Sequence, residues 1–377
     1  MAHAYTPGLK VTDSQLVRKQ RLLPLKGDVV VTVGQKVGPD DVLARTLLPG
    51  QVVPLNVANK LGVAENEVLE LMLKKEGDAV KNGEVIAENK PFLGLKFLKG
   101  STCTATIDGT IESISKVTGQ VLQRGAPTPV EVKAYISGTV VEVLPREGAI
   151  VACSAAYIQG IFGIGGETHG EIVVVVPDNK TVLSDDMISD RQAGKIVVGG
   201  SLVTAAALRK AMSCGVRGIV VGGFDDKDLR DFLGKDIGVA ITGNEDIPTT
   251  LVVTEGFGQI DMARRTFDLL KRLEGKAASI NGATQIRAGV IRPEIVVPLE
   301  TSVASGAGEA KPIEGLKPGS PIRVIRHPYF GMLGKVVELP APLQKLGSES
   351  MARVLEVEFD DGKRALVPRA NVEMIES

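Results

Sequence analysis

Two stretches of this chain carry the same pattern. VGQKVGPDDVLAR, from Val33 to Arg45, returns as EGDAVKNGEVIAE from Glu76 to Glu88, keeping its glycine, two valine positions and an aliphatic-alanine ending. A second pair follows: DGTIESISKVTGQVL (Asp108–Leu122) against SGTVVEVLPREGAIV (Ser137–Val151). Each unit reads as a short alternating strand, a glycine turn and another short strand. Alternation marks half-buried β-structure, and glycine supplies the turn conformations that other residues resist. Evenly spaced short strands predict a sandwich or barrel. Between the first two copies, NVANKLGVAENEVLELMLKK places Val68, Leu69 and Met72 at helical spacing, so a helical insert is expected over 56–75.

A chain of 377 residues is too long for one ordinary core and implies several domains. With 44% hydrophobic and 24% charged residues, it has a globular composition. A formal net charge of -1 provides no global field for nucleic acid or a membrane surface. The longest apolar run, Ile172–Val176, is too short to span a bilayer, and the first residues lack the apolar region of a secretory signal. Cys103, Cys153 and Cys214 form no CxxC pair and read as reduced thiols of a cytoplasmic protein. His3, His169 and His327 lie apart from one another and from the cysteines, so no metal site is expected. Neither His169 nor His327 has a nucleophile-elbow motif to support a catalytic triad.

The repeats resemble the barrel-sandwich hybrid fold of biotinyl and lipoyl carriers and of RnfC- and NqrA-type redox subunits. The resemblance covers 21–155 and leaves 1–20 as an N-terminal extension. In a carrier, a lysine at an exposed hairpin tip takes the cofactor. Here the stretch after the second repeat reads PFLGLKFLKG, where Lys96 and Lys99 are flanked by large apolar residues. Lys96 is the nearest candidate, but an ordinary surface lysine is the expectation and no cofactor is expected.

Beyond Gly160 the pattern changes. The glycines at 163, 165 and 166 precede another strand, EIVVVVP, and read as a β-turn; a phosphate cradle would need a helix there. From Lys195 onward, apolar strands alternate with helices. KIVVGG precedes TAAALRKAMSCG, VRGIVVGG precedes DDKDLRDFLG, and IDMARRTFDLLKRLEG has the best amphipathic pattern in the chain. The expected unit, 156–299, is a Rossmann-like α/β domain with a mostly parallel sheet. Ligands of such sheets bind beyond the carboxyl ends of the strands. This rule selects Gly222, Gly223, Asp225, Thr242, Asn244, Glu245, Thr254, Glu255 and Gly256 as a candidate ligand site. The bland alternative is that Gly-Gly ends strands because tight turns need it.

Residues 300–315, small and Gly/Pro-bearing, are expected as a linker. After them, RVIRHPYFGMLGKVV and an Asp-Asp-Gly hairpin signal resemble the KOW domain of NusG-type transcription factors, a small SH3-like barrel, over 316–377. That resemblance implies contacts to RNA or protein through Arg323, Arg326, Tyr329, Phe330 and Lys335. Nine Lys/Arg against eight Asp/Glu over this stretch make a weak phosphate-binding face, and packing of Tyr329 and Phe330 inside the barrel is the alternative.

The sequence therefore predicts a multidomain chain with a barrel-sandwich hybrid, a central α/β domain and an SH3-like barrel. The function expected first is a non-catalytic scaffold that docks onto a larger assembly, with RNA as a further partner. A small-ligand binder or enzyme using the α/β strand ends is the second reading, and a carrier through Lys96 or Lys99 the third.

Overall fold

The computed structural model describes residues 9–89, 100–225, 247–284, 291–299, 316–324, 329, 332–340, 342–345, 351–359 and 362–374. The chain is strand-rich, with one large mixed sheet and several smaller ones.

Two long strands, Val11–Leu22 and Gly148–Gln159, pair antiparallel along their length, with Val17 opposite Cys153 and Leu22 opposite Gly148. Successive strand residues face opposite sides, and here both sides of the second strand are covered. Ala156 and Ile158 enter one hydrophobic core with Val11. Cys153, Ala155 and Tyr157 enter another with Val17. This explains why GAIVACSAAYIQ lacks polar alternation: it is a wall shared by two cores. It also corrects the expected N-terminal extension, because 11–20 belongs to the partner strand. The polar residues there disguised a strand whose outward side is exposed at Leu16, Arg18, Gln20 and Leu22.

The α/β part begins where the long pair ends. Glu167–Val174, Ile196–Val198, Gly218–Phe224 and Thr250–Phe257 lie side by side in that order, with parallel pairing between neighbours. Phe162–Ile164 closes the outer edge antiparallel to the last of them. The helix Ala205–Ser213 starts at Thr204, whose side chain accepts a hydrogen bond from Ala207 N at 3.1 Å. It stops at Gly215 with φ +71°. The helix Arg264–Arg272 buries Phe267, Leu269 and Leu270, the face expected from its spacing. The chain then returns through Ala277–Asn281 and Glu294–Pro298, both antiparallel, to the long strand Gly148–Gln159. The sheet is therefore mixed, with a parallel portion inside it, where a mostly parallel sheet was expected. Antiparallel neighbours need no crossover helix. The expected strand at 237–243 and most of the expected helix at 225–234 lie outside the described residues, as does the expected linker at 300–315.

The repeated segment, expected as one barrel-sandwich hybrid region over 21–155, has two cores. Val37, Leu43, Ala134 and Val140 pack in one; Val80, Ile86, Ala105 and Ile111 pack in the other. The two lobes share their backbone hydrogen bonds. Gly34 N donates to Val140 O at 2.7 Å, as Gly77 N does to Ile111 O at 2.7 Å. Val140 N to Gln35 O and Ile111 N to Asp78 O are both 2.9 Å. Gly34 and Gly77 have φ of +87° and +89°. The second lobe is inserted into the first: strands Val42–Leu48 and Thr128–Lys133 pair up to Leu48 opposite Thr128, and 52–125 forms the lobe between them. The matching strands of the inserted lobe, Val85–Asn89 and Ser101–Thr104, pair in the same way. The helical insert is present as Val57–Leu61 and Val68–Leu71, joined by a 3₁₀ turn, and belongs to the second core.

The C-terminal part is a five-stranded antiparallel sheet. Its order is Arg364–Pro368, Val354–Phe359, Leu333–Glu338, Pro321–Val324 and Val372–Met374. Ile322, Val324, Val336, Leu355, Val357 and Phe359 fill its core. Gly362, with φ +80°, lies in the hairpin between Val354–Phe359 and Arg364–Pro368.

Candidate functional site at the strand ends

The carboxyl ends of the parallel strands are closed by backbone packing. The segment following strand Thr250–Phe257 crosses over them, with Gly258 N donating to Phe224 O at 2.9 Å, Ile260 N to Ser201 O at 3.2 Å and Met262 N to Asn179 O at 3.1 Å. The Asn179 amide returns a 2.6 Å bond to Met262 O. This crossing explains the glycines. A Cβ on Gly222 would sit 2.3 Å from Ile260 O, and one on Gly223 would sit 1.9 Å from Gly258 O. Both positions leave no room for a side chain because another main chain lies against them, which accounts for glycine there without a ligand. Gly256, directly opposite Gly223, has φ +152°. Asp225 is exposed just past its strand. Thr242, Asn244 and Glu245 lie outside the described residues.

Glu255 is buried at 2% exposure, and its partner comes from the C-terminal sheet. One carboxylate oxygen, Oε1, accepts from Ala263 N at 2.9 Å, at the start of helix Arg264–Arg272, where the helix dipole favours negative charge. The Thr254 hydroxyl lies 3.1 Å from the same oxygen and 3.2 Å from Val221 O. The other oxygen, Oε2, accepts from Arg323 Nη2, while Arg323 Nη1 donates to Thr254 O at 3.1 Å. Arg323 is itself only 3% exposed. The guanidinium fork thus grips a carboxylate and an adjacent carbonyl inside the protein.

This pairing corrects the expectation for Arg323 as a contact to an outside partner: its charge is used internally. Tyr329 is half-buried, with its ring 5.1 Å from that of Phe359, so it packs against the core of the C-terminal sheet. Lys335 is exposed. Arg326, Phe330, Lys96 and Lys99 lie outside the described residues.

A second polar cluster joins the first lobe to the large sheet, and sequence reasoning missed it. Lys19 Nζ lies 2.5 Å from both oxygens of Glu294, and the Tyr157 hydroxyl donates to the same carboxylate at 2.8 Å. Two residues along, Arg21 makes a two-pronged bond to Glu167 at 2.7 and 2.6 Å and donates through Nε to Lys133 O at 2.8 Å. Asp40 pairs with Lys133 at 3.0 Å and His169 at 2.7 Å, and Arg217 donates to His169 O at 3.0 Å. Hydrogen bonds from Lys133 and then His169 hold the Asp40 carboxyl below its usual range. Burial, then the charges of Glu294 and Glu167, push the Tyr135 hydroxyl well up, and burial and Glu294 do the same to Tyr157. Tyr135 holds φ +68°, a costly conformation for an aromatic residue. An open groove of about 510 Å³ beside the cluster is lined by Gln20, Arg21, Leu22, Glu131, Val132, Lys133 and Glu167. The available signal was the period-two run Val17, Lys19, Arg21, which places two cations beside a core residue on one strand face.

Among the described residues, no three His, Cys, Asp or Glu side chains are grouped to hold a metal ion, and no helix is long and apolar enough to cross a membrane. No family model matches the chain, and no curated protein matches its sequence.

Proposed function

We propose that this protein is an interaction scaffold whose modules are fastened to one another and present their outer surfaces to a larger assembly. The observation that carries this reading is the use of charge at both junctions. Arg323 with Glu255, Lys19 with Glu294, Arg21 with Glu167 and Asp40 with His169 spend their charges between modules. Groups engaged in this way set relative position, a role for which paired buried charges are well suited. The two nested lobes resemble barrel-sandwich hybrid modules, and the C-terminal part a KOW-type SH3-like barrel. Both kinds of module recur as docking parts. The inserted lobe, attached at the end of a strand pair, and the barrel face bearing Lys335 are the surfaces offered to a cytoplasmic partner, protein first and RNA second. Affinity purification from native cells, with and without nuclease, tests this. A nuclease-resistant set of co-purifying proteins is expected, and recovery of the chain alone under both conditions would contradict it.

A second reading, small-ligand binding, moves from the strand ends to the groove beside Arg21. The strained Tyr135 in the adjoining cluster favours it, because strain of that kind concentrates at functional sites. A thermal-shift screen of charged metabolites against the wild-type chain and Arg21→Ala tests it. A shift seen only in wild type is expected, and no shift with any compound argues against the groove.

A further inference from the structure

The acceptor set around Glu255 is built entirely by the α/β part, while its occupant arrives from elsewhere in the chain. Glu255 Oε1 is held by Ala263 N at 2.9 Å, and Thr254 O belongs to the same strand. These groups lie on strand Thr250–Phe257 and at the start of helix Arg264–Arg272. Arg323 comes from strand Pro321–Val324 of the C-terminal sheet, and its guanidinium spans two acceptors on adjacent residues. The acceptors sit at the carboxyl end of a parallel strand, the edge where open α/β sheets take their ligands. Two acceptors on adjacent residues, one of them a buried carboxylate, select a planar cation with several donors. Arginine meets that requirement better than lysine, because its rigid fork satisfies two acceptors together.

We infer that Thr254 and Glu255 form a guanidinium-binding site, filled in cis by Arg323 and open to an alkylguanidinium or a partner's arginine side chain when Arg323 is withdrawn. The C-terminal sheet then acts as a tethered ligand, whose occupancy is favoured by the high effective concentration that a tether provides. This inference is independent of the scaffold reading, since it concerns what the site accepts and not which assembly the protein joins.

The test is chemical rescue in the full-length chain, with ethylguanidinium chloride as probe and sodium chloride matching ionic strength. Arg323→Ala should lower the melting temperature. The probe should then raise it by about 1–2 °C, the order of shift for 1 kcal/mol in a chain of 377 residues at about 2.1 cal/mol/K of unfolding entropy per residue. Wild type, with the site already filled, should not move, and neither should the Glu255→Ala, Arg323→Ala double variant. Tetramethylammonium, a cation without N–H donors, should rescue nothing. Arg323→Lys serves if Arg323→Ala does not fold, because it keeps the positive charge and loses the fork; a smaller rise on adding the probe is expected. Absence of rescue in the folded variant, or equal rescue in the double variant, would overturn the inference.

Discussion

Asp41 and Glu84 perform the same task in two copies of one fold. The Asp41 carboxylate accepts from Gly38 N at 2.8 Å, and Glu84 accepts from Lys81 N at 2.9 Å. Each is followed by a strand that buries an aliphatic residue and an alanine, Leu43 and Ala44 in one lobe, Ile86 and Ala87 in the other. Their carbonyls receive matching bonds, Ala134 N to Asp41 O at 2.9 Å and Ala105 N to Glu84 O at 2.8 Å. A shared side-chain cap, core pair and hydrogen-bond ladder describe one unit used twice, the second inserted at the tip of the first.

Nesting predicts that the inserted lobe can be removed. Leu48 and Thr128 face each other at the end of an antiparallel pair, so a two-residue Asn-Gly turn can close the strands when it replaces 49–127. The shortened chain should keep a cooperative melt, because Val37, Leu43, Ala134 and Val140 have their own core. Circular dichroism with thermal unfolding measures this. Loss of cooperativity would show that the first lobe needs the second.

Gly223→Ala should destabilise strongly. The added Cβ would lie 1.9 Å from Gly258 O, a backbone atom held by Gly258 N to Phe224 O at 2.9 Å. Relief requires moving the crossing segment, so a loss of about 3 kcal/mol is expected, the upper end of the usual overpacking range. Urea unfolding reads it directly. A near-neutral result would mean that the crossing segment is not packed as described.

The junction between the first lobe and the sheet predicts alkaline sensitivity. Burial pushes the Cys153 thiol up to about 11 from 9.0, and burial with Glu294 and Glu167 raises the Tyr135 hydroxyl from 10.0. The folded chain therefore keeps protons that the unfolded chain releases. The stability these groups contribute is fully present below pH 9 and falls as pH rises, from 9 to 11 for Cys153 and from above 10 for Tyr135. Cys153→Ala should flatten the decline between pH 9 and 11 in a series of urea midpoints, and an unchanged slope would remove Cys153 from the explanation. On the acid side the sign reverses. Lys133 and His169 lower the Asp40 pKa below 3.8, so its contribution is present above that pH and lost below it.

The sequence was most informative where structure is local. The repeats, the helix Arg264–Arg272 and the Asp-Asp-Gly hairpin are visible because each is fixed by neighbours in the chain. The insertion of one lobe in the other was hidden, because it depends on Val42–Leu48 finding Thr128–Lys133 across an entire module. For the same reason, the long strand Val11–Leu22 read as an extension: its partner lies far along the chain. Glu255 and Arg323 were both singled out, one by its place at a strand end and one by family resemblance. Composition gave no hint that they meet. The cluster of Lys19, Arg21, Glu167, His169 and Glu294 was hidden because its members come from three separate strands and converge only in the folded sheet.

The central claim is that the C-terminal sheet is fixed to the strand ends by Arg323 on Glu255. A double-mutant cycle with Arg323→Ala, Glu255→Ala and the double variant, read by urea unfolding, tests it most directly. Each single variant leaves a buried charge without its partner and should cost about 3–5 kcal/mol. The double variant should cost less than the sum of the two, with a coupling of about 2 kcal/mol or more. Additivity within about 0.5 kcal/mol would mean that the two residues do not hold each other, and the docked arrangement would be wrong.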